Sequence, residues 1–239
     1  MTFYEEAREA FRSGDTNAVE RLAERELERA RTAGDLPGEV EALGMLARVA
    51  IRRDDIPEAR RLAKEALETA RRTGDRRTER TPAHILAGSA RMAGDLDAAR
   101  TLYGESIDLN ESLGESRMVA QEQHNLGYIE LHTGHEDRAR ELFASSLGQV
   151  LAEGYDEMLP YASLAAAVIA ATDGRAARAT HILAAVESEL RSRGHILDPD
   201  DAQEQQALRD RLIGELGQAS FDAEYRIGAD VGLREAVAA

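Results

Sequence analysis

The chain contains no cysteine and no tryptophan. The first absence excludes disulfides, thiolate metal sites and a cysteine nucleophile. The second, with only 4 Phe and 6 Tyr in 239 residues, leaves little material for a sheet core, whereas abundant alanine suits close helix contacts. Almost no strand is expected. No apolar run of roughly 18 residues occurs, so no segment reads as a membrane span. The opening MTFYEEAREAF is charged and amphipathic rather than a secretory leader. Lys64 is the one lysine among 30 basic residues, a bias that suggests a GC-rich bacterial genome and carries no mechanism. Positive charge is short overall: 45 acidic against 30 basic residues leave a net charge of −15. The two signs nearly balance over residues 1–100, and acid dominates beyond. Such a surface repels phosphate backbones, so direct nucleic-acid binding is not expected. A cytoplasmic protein without membrane association is the expectation.

What the chain does have is a period. Gly34, Gly74, Gly114, Gly154 and Gly194 lie 40 residues apart, and Gly14, Asp54, Gly94, Gly134 and Gly174 form a second series midway between them. A breaker every 20 residues predicts helical hairpins stacked in a row, each unit reading helix A, turn, helix B, turn. Glycine just past a helix end supplies a left-handed cap, and the polar residue after it helps the next helix begin, as in Gly14-Asp15, Gly94-Asp95 and Gly134-His135. Five residues beyond each mid-repeat turn stands a small residue, Val19, Ala59, Ala99, Ala139 or Ala179, where helix B must approach helix A. Apolar pairs follow at helical spacing, such as Leu62-Ala63, Leu102-Tyr103 and Leu142-Phe143. Helix A carries its own stripe at Leu46-Ala47, Leu86-Ala87, Leu126-Gly127 and Ala166-Ala167.

In QHNLGYIELHTGHEDRARELF the Leu126-Gly127 pair, Gly134, Ala139 and Phe143 fall at tetratricopeptide-repeat spacing, and AHILAGSARMAGDLDAARTLY repeats the pattern with Leu86-Ala87, Gly94, Ala99 and Tyr103. The chain thus resembles a tetratricopeptide-like array over residues 2–194. The usual period is about 34 residues, so the extra length must lie in the helices, chiefly helix B. The motif's terminal proline and first tryptophan are missing. HEAT or armadillo units, with periods of roughly 40 to 47, are the alternative. The resemblance implies an all-α, right-handed α-solenoid of about five hairpins over 1–194, closed by a helical cap over 195–239. In that cap Asp198 and Pro199 mark a helix start. The tail, LGQASFDAEYRIGADVGLREAVA, also looks like the end of the helical-repeat region found at the C-terminus of large ATP-dependent bacterial transcription activators. No GxxxxGK[ST] phosphate loop occurs in the chain.

In tetratricopeptide arrays the A helices line the concave face. That resemblance assigns Arg48, Arg52, His84, Arg91, Gln121, His124, Tyr128, His132 and Tyr161 as a ligand-binding set. His124, Tyr128 and His132 follow an i, i+4, i+8 spacing and share one helix face; His84 is the equivalent of His124 one unit earlier. Gly44 beside His84 and Gly88 beside Tyr128 are expected to leave room for a bound group. A basic wall of Arg48, Arg52 and Arg91 leading to a His/Tyr floor would take an acidic peptide, a protein segment, or a small anionic or aromatic molecule. The competing account is a solvated polar face. Metal binding is not expected, because Tyr128 separates the two histidines and no carboxylate accompanies them on that face. No cofactor is implied. His135, His181 and His195 read as structural, and the basic run from Arg71 to Arg80, interrupted by Asp75 and Glu79, reads as a solvated turn. The expected role is therefore a non-enzymatic binding module, a regulator, adaptor or sensor, with a homodimer left open. The alternative is a biosynthetic tailoring enzyme using His84, His124, Tyr128 and His132 for acid–base chemistry.

Overall fold

The computed structural model describes residues 2–238, and among them every regular element is helical. Five hairpins follow the period: α1 (Phe3–Arg12) with α2 (Thr16–Ala33), α3 (Leu36–Arg52) with α4 (Ile56–Thr73), α5 (Arg80–Met92) with α6 (Leu96–Ser112), α7 (Ser116–His132) with α8 (Glu136–Glu153), and α9 (Leu159–Thr172) with α10 (Ala176–Arg193). Three more helices complete the chain, α11 (Pro199–Leu216), α12 (Gln218–Ala229) and α13 (Leu233–Ala238), and a 3-10 turn at Arg76–Glu79 precedes α5.

The turn chemistry explains the boundaries. Both glycine series adopt φ between 65° and 83°, the left-handed region open to glycine at no steric cost. Asp54, which fills a glycine slot of the lattice, takes the same conformation with φ 60° and is the one non-glycine residue with positive φ among those described. Asp15, Asp35, Asp55 and Asp95 then accept a backbone N–H three residues on, capping α2, α3, α4 and α6. His135 and Arg175 start α8 and α10 without a side-chain cap. The length beyond the usual repeat sits mainly in the second helix of each hairpin: α2, α4, α8 and α10 each have 18 residues.

The chain forms two compact units, Met1–Glu115 and Ser116–Ala239. In the first, Ala7, Phe11, Val19, Ala23, Met45 and Val49 build one core cluster across α1, α2 and α3. Leu43, Ala47, Ala59, Leu62, Ala63 and Ile85 build the next across α3, α4 and α5. The small residues placed five beyond each turn are all fully buried, as the close approach of B to A requires. In the second unit Leu164, Ile182, Leu183 and Val186 of the last hairpin share a core with Leu208 and Leu212 of α11, Phe221 of α12 and Leu233 of α13. Each such leucine or phenylalanine contributes about 1.5–3 kcal/mol of burial, so the three terminal helices are integral to that unit.

Two glycines fix helix spacing. A Cβ on Gly127 would lie 2.5 Å from Cε1 of Phe143, which is why the Leu-Gly pair faces an aromatic across α7 and α8. One on Gly228 would lie 2.4 Å from the Cα of His181, so α12 touches α10 backbone to backbone. No helix among the described residues is long and apolar enough to cross a membrane.

Candidate functional site

In the first unit the basic wall is largely spent on packing. The Arg52 guanidinium carbon lies over the Phe11 ring, 3.6 Å from its centroid, with the three guanidinium nitrogens buried. Arg48 stands 5.6 Å from the same ring and is half-buried. Arg91 is only 8% exposed. His84, half-buried, meets Tyr103 edge-on with ring centroids 6.5 Å apart. The room expected beside Gly44 is filled, since a Cβ there would touch Thr81 Cγ2 at 3.4 Å and Ile85 Cδ1 at 3.7 Å. A Cβ on Gly88 would meet the Tyr103 hydroxyl at 3.6 Å. These two glycines therefore serve close helix packing rather than ligand space.

In the second unit the row on α7 has an occupant from the chain itself. His124 Nε2 lies 2.9 Å from Asp201 Oδ1, and His132 Nε2 lies 2.7 Å from Glu204 Oε1. Both acids belong to α11, more than 70 residues away in sequence. The expectation that no carboxylate accompanies these histidines is thus corrected: the carboxylates come from the cap. His124 is 3% exposed and Tyr128 fully buried. Their rings meet at 5.2 Å, Tyr128 packs on Phe143 at 4.9 Å, and the half-buried Tyr161 stands 6.5 Å from His124. His132 is exposed and Gln121 half-buried.

An ionised carboxylate can only accept, so Asp201 fixes the proton of His124 on Nε2. The remaining nitrogen, Nδ1, is buried without a hydrogen bond. That atom faces packed protein and not an open pocket. Among the described residues no group of three or more His, Asp or Glu side chains is disposed to hold a metal ion.

A second network, which the sequence reading missed, pins the cap to the last hairpin. Glu187 of α10 accepts from Arg209 and from Gln205 at 3.0 Å, both on α11, and from the Tyr225 hydroxyl on α12. Arg209 also lies over the rings of Phe221 and Tyr225 at 5.4 and 5.1 Å. Burial first, then the Glu187 carboxylate, pushes the Tyr225 phenol above its usual value. Nearby, His181 and Glu224 pair at 2.5 Å. For the His124–Asp201 pair a signal was present in α11: Asp201 lies on the same face as Leu208 and Leu212, and a carboxylate on an apolar stripe needs a donor from elsewhere.

No protein-family model matches this sequence, that of the transcription-activator repeats included, and no curated protein matches it. Solved structures do share the fold. The crystal structure of BtubC (BKLC) from P. vanneervenii superposes with a TM-score of 0.62 over 90% of this chain and 88% of its own, at 19% identity. Aspartyl phosphate phosphatase F from Bacillus subtilis superposes with a TM-score of 0.59 over 97% of this chain and 66% of its own, at 11% identity. At these identities the likeness is one of an all-helical, repeat-like fold.

Proposed function

We propose that this protein is a non-enzymatic protein-binding module, an adaptor or regulator whose stacked hairpins receive a helical segment of a partner. The observation that carries the reading is the pair of polar side-chain contacts from α7 to α11. Two side chains of α7 reach another helix, through His124–Asp201 and His132–Glu204, while α11 itself packs on α9, α10 and α12, so polar side chains of this face are suited to gripping a helix by its carboxylates. An acid–base role would need substrate access at His124, and that side chain is 3% exposed. Arg48 and His84 in the first unit, and Gln121 and Tyr161 in the second, keep partly exposed side chains that can take part in binding. The fold shared with BtubC and with aspartyl phosphate phosphatase F is compatible with that role.

Native mass spectrometry of complexes isolated from the protein's own cells tests this. The expected result is a stoichiometric protein partner. Recovery of the chain alone, or with a tightly held small molecule, would defeat the proposal.

One observation favours a second reading, acid–base chemistry at the His124–Asp201 pair beside Tyr161. Imidazole modification by diethyl pyrocarbonate separates the two. A binding module leaves buried His124 unmodified while exposed His132 and His135 react; modification of His124 in the native protein would reveal an opening pocket and favour the enzyme.

A further inference from the structure

On the B-helix side of the first unit a groove of about 610 Å³ runs between α2 and α4, with α3 as its floor. The floor is wholly aliphatic: Leu43, Leu46, Val49 and Ala50 from α3, flanked by Leu27 and Leu62. Leu27 and Leu46 keep part of their surface in solvent, and the other four are buried. Along α2 the lining extends from Glu20 to Arg31, three turns or about 16 Å. That is the length of a short helix laid in parallel, and the volume accommodates a few aliphatic side chains.

The rim decides the charge of the occupant. Its three guanidinium groups are each neutralised within the protein. Arg31 bridges to Glu65 at 2.5 Å across the groove, Arg53 holds Glu20 with a second contact at 2.6 Å, and Arg61 holds Glu58 at 2.7 Å. Hydrogen bonds from Arg53 and Arg61 hold Glu20 and Glu58 below the ordinary carboxylate range, so both stay ionised at neutral pH. Asp55 and Glu24 add further negative charge, and Glu24, exposed, makes no ion pair among the described residues. The lining thus carries more carboxylates than guanidinium groups, over an apolar floor, on a chain of net charge −15.

Resting on the protein-binding reading above, we infer that the α2–α4 groove docks a short amphipathic helix of a partner protein, with an aliphatic stripe flanked by lysine or arginine. The two cross-groove pairs keep the walls at a fixed spacing before the occupant arrives, which lowers the ordering cost of binding. The apolar floor supplies attraction, and the acidic rim selects against helices with acidic flanks.

Fluorescence anisotropy with the full-length protein and two labelled 12-residue helical peptides tests this. Both carry the same leucine stripe, one flanked by lysine and the other by glutamate. The lysine peptide should bind roughly tenfold more tightly. Glu24→Lys should weaken it about threefold, while Glu28→Lys, an equal charge change at an exposed position one turn on and outside the groove, should leave it within twofold. Equal weakening by both variants would mean attraction to bulk charge, and equal binding of both peptides would remove the charge argument; either result overturns the groove assignment. A native partner whose cross-links avoid α2 and α4 also overturns it while leaving the protein-binding reading intact.

Discussion

Replacing Asp201 by alanine puts the tie between α11 and α7 to a quantitative test. Asp201 is 4% exposed and accepts from His124 Nε2, whose ring is itself buried and whose Nδ1 already lacks a hydrogen bond. Truncation therefore leaves an imidazole with both nitrogens unsatisfied in packed protein, at a cost of about 2–3 kcal/mol. At 1.36 kcal/mol per tenfold, local opening of α7 and α11 should become roughly 30- to 150-fold more frequent. Backbone hydrogen exchange read by mass spectrometry is the assay, because two compact units need not unfold as one transition. The acceleration should be confined to the second unit, with α3 and α4 unchanged. Asp201→Asn keeps an oxygen in the accepting position and should cost about 1 kcal/mol or less. Replacing both partners with leucine should cost less than the two single changes summed, since no orphan remains. Exchange in α7 and α11 within threefold of wild type after Asp201→Ala would refute the reasoning, as would equal damage from Asn and Ala.

Gly228→Ala sets a methyl against the His181 backbone, which cannot yield as a side chain would; a loss of about 2–3 kcal/mol and loosening of α12, seen in chemical denaturation, is expected. Asp54→Gly relieves a left-handed residue at φ 60° and should stabilise the first unit by about 0.5–1 kcal/mol, read as a raised urea midpoint; an unchanged or lowered midpoint would contradict it. The Tyr225 phenol has a raised folded value, so the stability tied to its neutral form is fully present below an unfolded value of about 10 and is lost as pH rises through the folded one. In a phenolate absorbance titration Tyr225→Phe should therefore remove one phenol from the late-ionising fraction and leave the early fraction unchanged.

The limits of the sequence reading show in particular residues. The register of Val19, Ala59 and Ala139 as packing positions was legible because each is set by its distance from a local turn. Arg52 was placed on the correct helix, yet its stacking on Phe11 depends on how α1 leans against α3, which no spacing within α3 encodes. Gly44 and Gly88 read as vacancies because the side chains that fill them, Thr81, Ile85 and Tyr103, come from neighbouring helices. Charge on an apolar stripe, as at Asp201, was the available clue to a distant partner.

By itself the sequence determined what is local and periodic: all-helical hairpins, their turns at the 40-residue lattice, the left-handed slot shared by nine glycines and Asp54, and the small residues where paired helices meet. Those follow from backbone sterics and helix periodicity, which act over a few residues. Only the tertiary structure decided which polar side chains remain available. His124 found Asp201 a full 77 positions away, and Arg52 found Phe11 across a helix interface, because buried polar groups must be satisfied by whatever packing brings near.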